Sequence, residues 1–235
     1  MITIPHYYYY GFDIYYIILI LPAFIISLFA QIKVSSTFSK YSKTINMSGL
    51  SGAKAAEKVL LTHGVTNVKV ERVNGNLTDH FDPRTNVIRL SDSVYDSTSV
   101  AAVGVAAHEA GHAVQYAEQY APIKIRNSIL PVVNFGSKFS FITILLGILF
   151  ANDILIYVGI ALFSLSTLFQ ILTLPVELNA SRRAMETIRG QALLSDDEAR
   201  GAKKVLTAAA MTYIAAVVMS LAQLLRLLLL SRRRR

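Results

Sequence analysis

The sequence has no cysteine and no tryptophan. Without cysteine there is no disulfide scaffold, no thiolate metal site and no cysteine nucleophile, so any metal must be held by His, Asp or Glu. Charge is scarce as well: 16% of the 235 residues are charged and 53% are hydrophobic. Disordered chains lack apolar residues, so disorder is excluded, and the balance is too apolar for an ordinary soluble domain. Acids are the rarer sign, 15 against 23 bases, for a formal net charge of +8. Five of those bases are Arg226 and the run Arg232–Arg235. The remaining excess is mild and usual beside anionic lipid headgroups, and no recognition motif accompanies it, so no nucleic-acid partner is expected.

What the sequence does have is long apolar runs with little or no charge. Ile14 to Ile32 carries no charge, with only Ser27 and Gln31 interrupting and Pro22 inside it. This is close to the ~20 residues a helix needs to cross hydrocarbon. Tyr7–Tyr10, with Tyr15 and Tyr16, form an interfacial aromatic belt around its start. No Lys or Arg precedes the run, so a cleaved signal peptide is not expected. Further runs cover roughly Val132–Ala151, Ile154–Val176 and Val205–Leu225, and Asn152-Asp153 joins the middle two as a tight hairpin. Twelve basic residues run from Lys33 to Lys138, the last of them near the start of the second run; six lie between the third and fourth, and none at the Asn152-Asp153 turn. By the positive-inside rule both larger loops are cytoplasmic. The Arg232–Arg235 tail opposes that orientation.

The segment from about Lys33 to Asn127 is the one able to form a soluble lobe. Ser51–Thr62 has helical amphipathicity, ended by Gly64. Val68–Arg72 and Val87–Leu90 have strand composition, with turns at Asn74-Gly75 and Asp82-Pro83. Ser97 or Ser99 caps a helix running to about Tyr116. Pro175 suits the first turn of a new helix ending at Gly190, and Ser195 with Glu198 forms a capping box.

His108-Glu-Ala-Gly-His112 is an H-E-x-x-H pattern. On a helix, positions i and i+4 share a face, so both imidazoles can reach one Zn²⁺. Glu109 lies about a hundred degrees round, placed to take a proton from a metal-activated water without ligating the metal. Gly111 lets another element approach that face closely. A catalytic zinc needs three protein ligands and an open position. His6 and His63 are poor candidates, one beyond the first membrane run and the other at a helix end. His80 and Glu177 both stay open as the third ligand, Glu177 because the end of an apolar run is an unusual place for a carboxylate.

Three blocks carry a resemblance: Leu77-Thr-Asp-His-Phe-Asp-Pro-Arg84, Ala106-Ala-His-Glu-Ala-Gly-His-Ala-Val-Gln115 and Thr173-Leu-Pro-Val-Glu-Leu-Asn-Ala-Ser-Arg-Arg-Ala184. With a fourth, Lys203 to Ala215, they make the chain similar to the YugP-like family of bacterial membrane zinc metallopeptidases, from Gln31 to about Leu230. That family resembles more distantly the gluzincin peptidases, including HtpX-like and CAAX-prenyl membrane enzymes. The resemblance implies Glu177 as third ligand. Ser181 stands where gluzincins carry an Asp that orients a ligand histidine; it can hydrogen-bond there but not as a charge. It also implies that Asn86, Val87, Ile88, Arg89 and Leu90 form an edge strand that pairs with an extended substrate. His80 and Tyr213 are candidate donors to the substrate carbonyl.

The expected fold is a mainly α membrane protein with about four transmembrane helices and a small α+β cytoplasmic metallopeptidase lobe. Residues 1–32 hold the first membrane helix, 33–131 the lobe with the zinc helix, and 132–176 a membrane hairpin. Residues 177–204 form a cytoplasmic helix carrying Glu177, and 205–235 the last membrane helix and basic tail. The expected activity is zinc-dependent endopeptidase action at the cytoplasmic face of a bacterial plasma membrane, with one Zn²⁺ per chain and peptide or membrane-protein substrates. The rivals are zinc hydrolysis of another amide bond, or a non-catalytic scaffold holding a structural metal.

Overall fold

A computed structural model of the protein describes residues 14–232. The Tyr7–Tyr10 belt, His6 and Arg233–Arg235 lie outside the described residues. Four long apolar helices dominate: α1 (Leu21–Tyr41), α4 (Ala121–Leu149), α5 (Asp153–Gly190) and α6 (Asp196–Arg232). All four are long and apolar enough to cross a membrane. A π-helical turn, Tyr16–Ile20, leads into α1, where the Leu21 N–H donates to the Tyr16 carbonyl. Pro22 sits in the first turn of α1 and supplies no N–H to the ladder, where the π turn gives way to α-helix. Many outward side chains are apolar and open, among them Phe141, Leu149 and Ile154, each more than 70% exposed. A lipid surround, not water, suits such a surface.

The hairpin forms as the turn residues dictate. Ala151 adopts a positive φ of 49°, and the Asn152 side chain accepts from the N–H groups of Ile154 and Leu155 to start α5. Two expectations about these helices need correction. No new helix starts at Pro175: α5 runs through it unbroken to Gly190. Proline is tolerated here because packed membrane helices re-satisfy the freed carbonyl. The second membrane helix begins at Ala121, earlier than Val132, with Pro131 inside it. The boundaries at 131/132, 176/177 and 204/205 therefore fall inside continuous helices, and the lobe shares α4, α5 and α6 with the membrane part. The last helix is also unbroken, and Arg226 stacks over Tyr16 at 5.3 Å, so its end reaches the start of the first.

The lobe packs α2 (Gly52–Thr62) and a three-stranded sheet on α3 (Val100–Ala117). Ser51 caps α2 and Ser99 caps α3 through their side-chain oxygens, while Gly64 at φ +69° follows the α2 C-terminus. Strand order is β1 (Lys69–Val73), β3 (Val87–Ser91), β2 (His80–Asp82), with β1 parallel and β2 antiparallel to β3. Asn86–Leu90 thus does not supply an edge strand: Val87–Leu90 belong to the central strand, with Ile88 and Leu90 fully buried, and Asn86 is a positive-φ turn residue before it. The reason is β2, a three-residue strand in a segment that sequence patterning leaves as loop. Such a strand is too short to show alternation.

Helix α3 is buried along most of Val100–Gln115, with Val105, His108, Glu109 and His112 half-buried. Its contact with α5 is closest at Gly111, where an added Cβ would lie 2.6 Å from the Ala180 carbonyl oxygen. Gly111→Ala tests that contact. On a free helix this change gains about 1 kcal/mol. Here the obstacle is backbone that cannot swing aside, and overpacking of this kind costs about 1–3 kcal/mol. The variant should melt at a lower temperature and retain less metal; a raised Tm would show that α3 and α5 do not touch as described.

Candidate metal centre

His108, Glu109 and His112 project from α3 near its buried middle, and Glu177 projects from α5 opposite them. The two imidazoles meet nearly perpendicular, with centroids 4.7 Å apart. Glu177 Oε2 stands 3.3 Å from His108 Nε2 and 3.4 Å from His112 Nε2. Donors bound to zinc at about 2.0–2.1 Å in a tetrahedron are separated by about 3.3–3.4 Å, so the spacing matches a shared metal. Glu177 is 4% exposed, and its Oε2 has no aligned hydrogen-bond donor. Because α5 is continuous, there is no helix N-terminus at Glu177 whose dipole could justify it.

The proton on His112 can be placed from its surroundings. Arg183 has only donors, and its Nε gives a hydrogen bond to Asn179 Oδ1 at 2.8 Å. Gln115 Nε2, fully buried, donates to Asn179 Oδ1 and to the Val176 carbonyl. Gln115 Oε1 is thereby the acceptor for His112 Nδ1 at 3.0 Å. His112 then carries its proton on Nδ1 and turns the Nε2 lone pair toward Glu177. His108 Nδ1 meets the Ser181 hydroxyl at 3.0 Å, so Ser181 does contact a ligand histidine, as a neutral group. Lone pairs converging on one buried point repel unless a cation lies between them. Burial alone would lower the His112 pKa, but the Glu177 and Glu109 carboxylates around it raise it above the ordinary histidine value. A field that favours a proton there favours a metal cation more. The donor set therefore fits zinc, and among the described residues it is the one His and carboxylate group arranged to hold a metal.

A cleft of about 230 Å³ opens beside these residues. Glu109 lines it, as do His80 and Tyr213. Asp79 accepts from the N–H and hydroxyl of Ser91 and so ties the β2 segment to β3, which holds His80 at the cleft. Burial raises the Asp79 carboxyl above its ordinary value, against those hydrogen bonds. His80 Nδ1 donates to the Thr78 carbonyl, not to Asp79 or Asp82. His63 is remote from the cleft: it ends α2 and meets Thr187 and Glu118. Asn86–Leu90 do not line the cleft.

Four contributors escape sequence reading. Gln115 and Asn179 lie in the H-E-x-x-H and Glu177 blocks without a distinguishing pattern; only the i, i+3 spacing of Gln115 from His112 hints at a shared face. Arg126 and Asn127 of α4 also line the cleft, and Arg126 Nε is buried without a partner. Their segment precedes an apolar run and has no metal-site spacing.

A helix-borne H-E-x-x-H facing a carboxylate on a long apolar helix makes a candidate metal centre in a mainly α membrane protein. The chain belongs to the family described as "Putative neutral zinc metallopeptidase", whose model matches residues 16–232. It is 46% identical over 215 residues to the "Putative membrane protease YugP" of Bacillus subtilis (strain 168), covering 92% of this chain and 96% of that one. No solved structure matches it. The family makes zinc the cofactor, and His108, His112 and Glu177 are the residues placed to hold it.

The third ligand can be tested by metal content. Glu177→Ala should purify without stoichiometric zinc, whereas His80→Ala should keep it, measured by mass spectrometry of the metal. The reverse result would make the site a three-histidine one.

Proposed function

We propose that the protein is a membrane-embedded zinc endopeptidase that hydrolyses peptide bonds close to the membrane surface on the cytoplasmic side. The observation that carries this reading is the convergence of His108, His112 and Glu177 with the unligated carboxylate Glu109 in one cleft. Three protein ligands beside a cleft leave a fourth position open, which a closed structural site does not. A structural metal would also have no use for Glu109.

Zinc, when bound, supplies Lewis acidity that polarises the scissile carbonyl and acidifies a water. Glu109 takes a proton from the water as its oxygen attacks the carbonyl carbon. It returns that proton to the amide nitrogen as the C–N bond breaks, so the products are a carboxylate and an amine. The carbonyl oxygen needs a donor as charge develops on it. Tyr213 suits this role: its phenol donates when neutral, and its electrostatic neighbours are Glu177, Glu109 and Arg126. His80 is less suited, because Nδ1 already donates to Thr78, and Nε2 becomes a donor only in the imidazolium form. Strand pairing with substrate passes from β3 to β2, whose outer edge is unpaired within the sheet and which carries His80 and Phe81 into the cleft. Arg126, which lines the cleft, offers guanidinium N–H groups as further donors for a substrate carbonyl.

Seventeen basic residues on the lobe side, eleven from Lys33 to Arg126 and six from Arg182 to Lys204, against none at Asn152-Asp153, support a cytoplasmic zinc lobe in a bacterial plasma membrane. A reporter after residue 120 should then behave as cytoplasmic and one at Asn152 as external; the opposite pattern would put the site outside the cell.

Glu109→Gln tests the chemistry. An amide cannot accept the water's proton, so hydrolysis of a casein or reporter substrate should fall about 10²–10⁴-fold while zinc stays stoichiometric. Unchanged turnover, or loss of the metal, would remove Glu109 from the mechanism.

A further inference from the structure

A second concavity, about 390 Å³, lies between α5 and α6 outside the zinc cleft. Its two walls are antiparallel helix faces. On α5 they carry Leu178, Arg182, Met185 and Arg189, spaced at helical intervals; on α6 they carry Lys203, Leu206, Thr207 and Ala210. The groove is graded in polarity. Leu178 and Ala210 lie at the end nearest the membrane-spanning parts of the two helices, and Arg189 and Lys203 at the far end. Leu178 to Arg189 is eleven residues, so the groove runs about 16 Å at 1.5 Å per residue. That length takes a headgroup and the upper part of an acyl chain.

Charge selects the occupant. Arg182 is partly engaged by Glu186 at 3.9 Å, a pair in which both side chains are well exposed. Arg189 and Lys203 have no acidic partner among the described residues, and both are exposed. The cationic end therefore carries a surplus of positive charge beside a single carboxylate. This cationic end lies on the lobe side of the charge-free run Ile154–Val176, and basic pockets between membrane helices on that side bind anionic headgroups. An apolar peptide would use the Leu178 end but would gain nothing from the two free cations. A free phosphate would use the cations but leave the apolar end wet.

We infer that the α5–α6 groove is a binding site for one anionic phospholipid of the leaflet beside the zinc lobe, its phosphate held by Arg189 and Lys203 and its acyl chain lying toward Leu178. Ser181 lines the same groove and also holds His108, so the lipid would lie one side chain behind a zinc ligand. The inference needs membrane insertion and does not depend on peptide-bond hydrolysis.

The test is native mass spectrometry of the full chain in detergent, titrated with dioleoylphosphatidylglycerol or dioleoylphosphatidylcholine. The unaltered protein should retain one phosphatidylglycerol per chain in preference to phosphatidylcholine. Arg189→Gln with Lys203→Gln should weaken phosphatidylglycerol binding roughly thirtyfold, about fivefold per cation removed, and leave phosphatidylcholine binding unchanged. Leu178→Asn should weaken both lipids. Equal zinc content in all variants confirms that they fold, which the exposure of the three residues favours. Glycerol 3-phosphate should fail to displace the lipid. Equal affinity for the two lipids, unchanged affinity in the double variant, displacement by glycerol 3-phosphate, or retention of a polypeptide in place of lipid would each overturn the inference.

Discussion

Helices α3 and α5 touch, backbone to backbone, at Gly111 and Ala180, and the metal centre depends on that approach. One helix contributes two nitrogen donors and the other a carboxylate oxygen, and ligands about 3.3 Å apart leave little tolerance between their axes. Any side chain at position 111 would separate the helices before the donors could share an ion. The membrane hairpin makes the approach possible. It carries the chain out along α4 and back along α5, so that Glu177 returns to the level of His112. Within the hairpin, an added Cβ at Gly159 would lie 2.4 Å from Ile144, a second close approach of small residue to neighbour.

Around this contact the polar groups form a directed series. Glu118 meets Arg183 at 2.6 Å, Arg183 orients Asn179, Asn179 orients Gln115, and Gln115 fixes the His112 tautomer. Each link removes one ambiguity of donor or acceptor. The series joins α3 to α5 and is buried at its Gln115–Asn179 link, and a buried network is stabilising only when its members are satisfied. Glu177 Oε2 is left without an aligned donor, at the point where the ligand atoms converge. Ser181 gives His108 a neutral partner in place of a charged one, so the site draws its negative charge from Glu177 and Glu109.

Local signals of the fold were legible because they are local. Ser51, Ser99, Asn152 and the Ser195–Glu198 box cap helices in the structure as their types require, and Gly64 takes the left-handed conformation expected after α2. Reading failed where a local preference met a tertiary override. Pro175 favours a helix start, yet membrane packing carries α5 through it. The order of strands cannot be read from strand composition, and a three-residue β2 leaves no alternation to see, so β3 moved from edge to centre.

The sequence by itself determined the solvent, since long charge-free runs can be buried only in lipid. It also determined the chemistry of α3, since the 3.6-residue period puts His108 and His112 on one face wherever that helix lies. Glu177 was visible as an anomaly and through family resemblance, not as a ligand, because its 65-residue separation from His112 has meaning only after the hairpin closes. The tertiary structure alone decided that Glu177 Oε2 faces both imidazoles, that Gln115 and Asn179 stand behind them, and that Arg126 enters the cleft. Periodicity fixes which residues share a face of one element, whereas a metal centre built from two elements is fixed by their packing distance.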